Sequence, residues 1–147
     1  MTTRPVPVIR DLDGDDIRAI LGRNNVGRLV FDWNGRLDIR PMHYVHHRGR
    51  IYGRTTAGAK FTDGVRSGAP VVFEVDEIES VFRWRSVIVR GVFDVLPPDG
   101  SEVEEREVAS RLLRRVVKQT FLPNDPVPER DLVFRILADA VTGRASS

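Results

Sequence analysis

Cysteine is absent from the 147-residue chain, and that gap removes disulfides, thiol catalysis and every cysteine-ligated zinc or iron–sulfur site. A reducing cytoplasm is the compartment this composition leads one to expect. Lysine is nearly absent as well: Lys60 and Lys118 stand against 21 arginines. Where arginine is the default cation, a lysine in a loop supplies something different, a compact point charge rather than a planar fork. No apolar run approaches the roughly 20 residues a membrane-crossing helix needs, so no membrane span is expected. The opening MTTRPVPVIRDLDGDD lacks the apolar stretch of a secretory leader. Missing too are GxGxxG, a Walker A loop, HExxH, GxSxG and an EF-hand loop, the commonest marks of nucleotide, protease, hydrolase and calcium sites.

What is present reads as one globular domain over 1–147, with 41% hydrophobic residues and a net charge of only +2. Asp13, Asp15 and Asp16 precede Ile17, Ile20 and Leu21, an acidic start followed by an apolar stripe, which predicts a short helix ending near Asn24. The segments 26–33 and 36–47 flank Asn34-Gly35, a strong hairpin signal, and Arg48-Gly49 turns the chain into a third strand over 50–56. Alternation stops from Ala57 to Gly68, where a loop opening into a short helix is expected. Strands follow at 69–79 and 80–97, the second bent or bulged at Gly91. Ser101 and Glu104 form a capping-box pattern for a helix whose apolar face holds Val108, Leu112, Leu113, Val116 and Val117. The Pro-rich stretch 122–129 leads to a last strand. The ends, 1–10 and 144–147, are expected to fray. Six strands with peripheral helices and no strand–helix alternation predict a mainly β, six-stranded antiparallel barrel rather than a doubly wound sheet.

One dense stretch carries the chemistry. Pro41 cannot donate to a ladder, so its strand is an edge or opens at a bulge. That position either guards the edge against aggregation or leaves backbone groups free to read the rim of a planar ring. Arg54, Thr55, Thr56, Gly58 and Lys60 offer a guanidinium, two hydroxyls, a permissive backbone and an ammonium at the end of a strand. They suit either a phosphate cradle or an ordinary helix start with a solvated lysine. His43, His46 and His47 tempt one toward a metal, but strand alternation sends His46 away from the other two, so no metal site is expected. In the later strand Trp84, Ser86 and Ile88 share one face while Arg83, Arg85, Val87 and Val89 share the other. Arginine beside valine there means either long stems covering apolar surface or a face that meets an anion or a partner.

Together, Pro41-Met42 in a meander strand, a strand ending in Arg54-Thr55-Thr56, the Gly58-x-Lys60 spacing, the 84–91 strand and the terminal Thr142-Gly143-Arg144 resemble the FMN-binding split β-barrels. The similarity covers roughly 17–144 and is greatest to the pyridoxamine 5′-phosphate oxidase-like branch that includes the nitroimidazole-resistance group. The resemblance implies a cytoplasmic homodimer with FMN at the subunit interface and a small-molecule substrate. Arg40, Pro41, Met42, His43 and Tyr44 would then line the flavin ring. Arg54, Thr55, Thr56, Gly58 and Lys60 would hold the phosphate, and Trp84, Arg85, Ser86 and Val87 would approach from the dimer contact. Arg40 and Arg85 are candidates for the positive group beside the ring's N1–C2 edge. The chain departs from the nitroimidazole-resistance pattern, which carries His-Gly-Ala where Arg54-Thr55-Thr56 stands, so no role of that histidine transfers. No vitamin-B6 substrate pocket is evident, and no residue is singled out as catalytic. The expected activity is flavin-dependent oxidoreduction. The alternatives are a carrier or sensor of FMN, deazaflavin or haem, and a small barrel for single-stranded nucleic acid, which the dispersed arginines argue against.

Overall fold

The computed structural model describes residues 6–56 and 67–147, so Gly58 and Lys60 lie outside the described residues. In chain order the elements are β1 (Ile9–Asp11), α1 (Gly14–Arg23), β2 (Val26–Trp33), β3 (Arg36–His43), β4 (Val45–His47), β5 (Arg50–Thr55), β6 (Ala69–Ser80), β7 (Arg83–Leu96), α2 (Val103–Val116) and β8 (Leu132–Ser146). The strands form one sheet in the order β3-β2-β6-β7-β8-β5-β4, with β1 added on β8, and every pairing is antiparallel. β3 and β4 are opposite edges of that sheet, yet only Tyr44 separates them in the chain. The sheet must therefore roll until its two edges meet, leaving a split between them.

The local elements follow from identifiable residues. Asp13 caps α1 by accepting from the Asp16 N–H at 2.8 Å, and Ile17, Ile20 and Leu21 bury the helix's apolar stripe. Asn34-Gly35 and Arg48-Gly49 all take positive φ, the conformation that a two-residue hairpin turn requires. The expected irregularity at Gly91 is present: the register between β7 and β8 slips between Arg90 and Gly91. A Cβ on Gly91 would lie 2.0 Å from the Leu137 carbonyl oxygen, so only glycine permits this close crossing.

The interior is filled by Leu29, Phe31, Phe73, Val75, Val87, Val89, Phe93, Phe134 and Ile136, with α1 closing one end through Ile20 and Leu21. Each such side chain, fully removed from water, contributes about 1.5–3 kcal/mol before entropy is counted. A second apolar cluster, Tyr52, Leu96, Ala109 and Val133, lies under α2.

Three expectations need correction. Among the described residues there are eight strands rather than six, because Ile9–Asp11 pairs with residues 144–146 and the single strand expected over 36–47 breaks at Tyr44. There the backbone N–H donates to the Asn25 carbonyl and the phenol to the Leu21 carbonyl, so the loop after α1 captures the residue. The C-terminal residues 144–146 are not frayed: β8 lies between β7 and β1 at this end, and Ala145 and Ser146 are buried. The Ser101–Glu104 capping box does not form. Glu102 occupies the cap position without a side-chain cap, and its carboxylate instead accepts from Arg135 at 2.8 Å.

Candidate functional site

A cleft of about 380 Å3 opens at the split between the sheet's edges. Residues 40–43 at the end of β3 form one wall and residues 54–56 at the end of β5 another, so the two parts of the sequence stretch singled out above do converge. Among the described residues β3 is an edge strand paired only with β2, where Pro41 stands opposite Arg28. Its other side has no strand partner among the described residues and faces the split. Met42 packs toward the core, while Pro41 and His43 lie on the exposed face, so the cleft wraps around the strand's free edge.

Two of the arginines of the cleft, Arg40 and Arg54, differ sharply. Arg40 is half-buried, and its side chain has no hydrogen bond or ion pair among the described residues. Arg54 is bound in place: its guanidinium donates to both oxygens of Asp125 at 2.5 and 2.8 Å, with side-chain exposures of 7% and 3%. The same guanidinium lies 5.1 Å from the centre of the Phe121 ring. Asp125 also accepts the N–H groups of Phe121 and Val127, which pins the loop after α2. The Arg54 hydrogen bond, partly offset by burial and aided by those N–H groups, holds the Asp125 carboxyl well below the usual carboxylate range. The charge of Arg54 is thus already matched by a fixed carboxylate, and its side chain acts as a strut for the cleft wall. Thr55 is buried and Thr56 half-buried on the same wall.

Other candidates lie elsewhere. Tyr44 is fully buried; its phenol donates to the Leu21 carbonyl at 2.7 Å and its ring meets Phe73 edge-on at 5.2 Å. Burial, then the charge of Glu77, pushes that phenol above its ordinary pKa. Its side chain is a core group and offers nothing to the cleft. Val87 is likewise fully buried, its backbone paired on both sides with Val75 and Gly143. Arg85 donates to Glu77 at 2.9 Å and to Glu79 at 3.2 Å, so its charge is already engaged by carboxylates, and it is not among the residues of the cleft wall. Trp84 and Ser86 line a separate hollow of about 220 Å3 with Ile88, Thr142, Gly143 and Arg144, on the outer face of β7 and β8. That hollow shares no described residue with the cleft. Among the described residues no three histidines or carboxylates gather into a metal-binding group.

The remaining wall of the cleft escaped the sequence reading. Leu113, Val116 and Val117 at the end of α2, with Thr120, Pro126, Val127, Glu129 and Arg130 from the following loop, close it from the far side. A signal existed: the apolar face of α2 continues through Val116 and Val117, and both remain only half-buried in the folded chain.

A family model described as pyridoxamine 5′-phosphate oxidase matches residues 13–145. An uncharacterised protein of Mycobacterium tuberculosis is 32% identical over 142 residues, 90% of this chain and 88% of the relative. Among solved structures, an FAD-binding protein from Mesorhizobium loti superposes with a TM-score of 0.77 at 26% identity, covering 95% of this chain and 99% of its own. A Bacteroides thetaiotaomicron protein described as a 5-nitroimidazole antibiotic resistance protein superposes with a TM-score of 0.74 at 17% identity, covering 97% and 90%. This second likeness bears on the fold, which is the split β-barrel. Matched over nearly its whole length, the chain belongs to the pyridoxamine 5′-phosphate oxidase family.

Proposed function

We propose that the protein binds a flavin mononucleotide in the cleft at the split and serves as a flavin-dependent oxidoreductase for a small molecule. The observation that carries this reading is Arg40: a half-buried cation without a partner among the described residues, on the same cleft as the Thr55 and Thr56 hydroxyls. A guanidinium and hydroxyls suit a phosphate monoester. Lys60, a few residues beyond Thr56 in the chain, joins this set. Arg54 acts one step removed, by fixing the loop through Asp125. The free side of β3 around Pro41 and Met42 supplies backbone donors and acceptors for the rim of the ring, and Val116 and Val127 exclude water from the opposite wall.

When bound, the flavin supplies hydride and electron transfer, and the protein's part is position and electrostatics. Arg40 near the pyrimidine rim or the phosphate favours an anionic ligand in either place. The FAD-binding neighbour from Mesorhizobium loti supports a flavin but leaves the nucleotide portion to be measured.

The cleft of a single chain is open, and the second hollow, with Trp84 and Ser86, shares none of its described wall residues. A homodimer in which the partner's Trp84 and Ser86 close the cleft resolves both points. Many of the arginines, among them Arg23, Arg28, Arg50, Arg54, Arg85 and Arg135, are spent in ion pairs, which disfavours a nucleic-acid surface.

The test is the absorption spectrum of the purified protein, with the released chromophore identified by chromatography and mass. Flavin bands and released FMN support the proposal. FAD or a deazaflavin would replace the nucleotide assignment. A colourless protein that added FMN neither binds nor stabilises ends it.

A further inference from the structure

A third hollow, of about 250 Å3, lies beside α1 where that helix crosses the end of the barrel, and shares no described wall residue with the cleft. Its sides are apolar: Ile17 and Leu21 from α1, Ile51 from β5, Val89 from β7 and Val141 from β8. Gly14, Gly49 and Ala138 leave room at its rim. The polar side chains on its wall are Arg18 and His46. An apolar chamber with a few converging polar groups has the composition of a small-molecule site.

The two polar groups define what fits. His46 is half-buried, and its imidazole has no hydrogen-bond partner among the described residues, which leaves its ring nitrogens accessible to a ligand. The Arg18 guanidinium folds back over the first turn of α1, where a Cβ on Gly14 would lie 3.2 Å from its Nη1. Asp15, itself almost fully exposed, engages Nη2, so the other donors of the fork remain. Burial, His47 and Arg18 all lower the proton affinity of His46, leaving a neutral imidazole beside a cation. Among the described residues no carboxylate is on the wall of the hollow. The chamber therefore favours one negative charge at its mouth and hydrocarbon within.

We infer that this hollow binds a small apolar monocarboxylate, its hydrocarbon or ring among Ile17, Leu21, Val89 and Val141 and its carboxylate against Arg18 and His46. A dianionic phosphate ester would leave most of its charge in apolar surroundings, and a cation would meet Arg18. This site stands independently of the flavin cleft.

The experiment titrates hexanoate, benzoate and neutral hexanol into isotopically labelled full-length protein followed by NMR. It is repeated on Arg18→Gln and Ala138→Leu, both at exposed positions. The expected result is saturable shifts with the carboxylates around Ile17, His46, Ile51 and Val141. Arg18→Gln should weaken hexanoate by about tenfold or more, the loss of a charge-assisted hydrogen bond. Ala138→Leu should abolish it by filling the rim, with the thermal midpoint unchanged in both variants. Hexanol should bind more weakly and ignore Arg18→Gln. The inference is overturned by absence of saturable shifts, by shifts confined to the cleft around Arg40, by equal affinity in wild type and Arg18→Gln, or by hexanol binding as tightly as hexanoate. Should Ala138→Leu not fold, the Arg18→Gln comparison decides alone.

Discussion

Arg54 and Asp125 stand 71 residues apart in the chain and meet as a two-pronged ion pair, at 2.5 and 2.8 Å, beside the candidate site. Removing one partner strands the other away from water, which in deep interiors costs about 3–5 kcal/mol. This pair borders an open cleft, so Asp125→Ala should cost about 2 kcal/mol, read as a lower urea midpoint. The double variant Arg54→Met, Asp125→Leu should recover most of that loss, because it leaves no stranded charge. A double variant no better than Asp125→Ala would mean that the loop depends on the N–H groups of Phe121 and Val127 accepted by Asp125 rather than on the charge pair.

Arg40 poses the opposite case. Its side chain has no partner to lose among the described residues, so Arg40→Ala should leave the thermal midpoint of the flavin-free protein within a degree or two, as ordinary surface substitutions do. FMN affinity should fall about tenfold or more, the worth of one charge-assisted hydrogen bond. Riboflavin, which lacks the phosphate, separates the two places this arginine could act. Unchanged riboflavin affinity assigns Arg40 to the phosphate; a parallel loss assigns it to the ring.

The contrast between these two arginines marks where the sequence was legible. Asn34-Gly35, Arg48-Gly49, the Asp13 cap and the bulge at Gly91 are local chemistry, and each could be read from a few neighbouring residues. The convergence of residues 40–43 with 54–56 was legible only as closeness in the chain: β3 does not pair with β5, and the two segments meet because the sheet rolls its edges together. Arg54 could be seen as a cation at a strand end, but not as a committed one, because nothing near it in the chain announces Asp125. Tyr44 misled for a related reason. Alternation placed it in a continuous strand, whereas its phenol and N–H are both claimed by the segment around α1, some twenty residues earlier. The α2 wall was hidden because an apolar helix face says that something is covered without saying what.

Acid stability should report a second long-range cluster. Glu77 accepts from Arg23 at 2.5 and 2.6 Å, from Asn24 at 2.7 Å and from Arg85 at 2.9 Å, tying the end of α1 to β6 and β7. The Arg23 bond, opposed by burial and helped by Asn24 and Arg85, brings its pKa down from 4.5 to about 2. A depressed folded-state pKa stabilises the fold above 4.5, and that contribution is lost as pH falls from there toward 2. Asp125, held low by Arg54, adds a loss of the same sign. Urea midpoints should therefore drop between pH 5 and 2. Glu77→Gln should start lower at pH 6 and fall less steeply, so that the two proteins converge near the acid end. Parallel curves would remove Glu77 from the account.

The shared-site arrangement makes a prediction that no single variant can test. If each flavin lies between Arg40 of one chain and Trp84 of the other, Arg40→Ala and Trp84→Ala homodimers should both bind FMN poorly. In a mixed dimer of the two variants, one cleft carries both defects and the other neither. After unfolding and refolding an equimolar mixture, half of the dimers are mixed by chance, so roughly a quarter of all sites should regain wild-type affinity. A cleft built from one chain alone cannot do this, because every site then keeps the defect of its own chain. FMN fluorescence quenching across the mixing ratio reads the difference directly: recovery that peaks at equal proportions requires two chains per site, and a flat line confines the site to one.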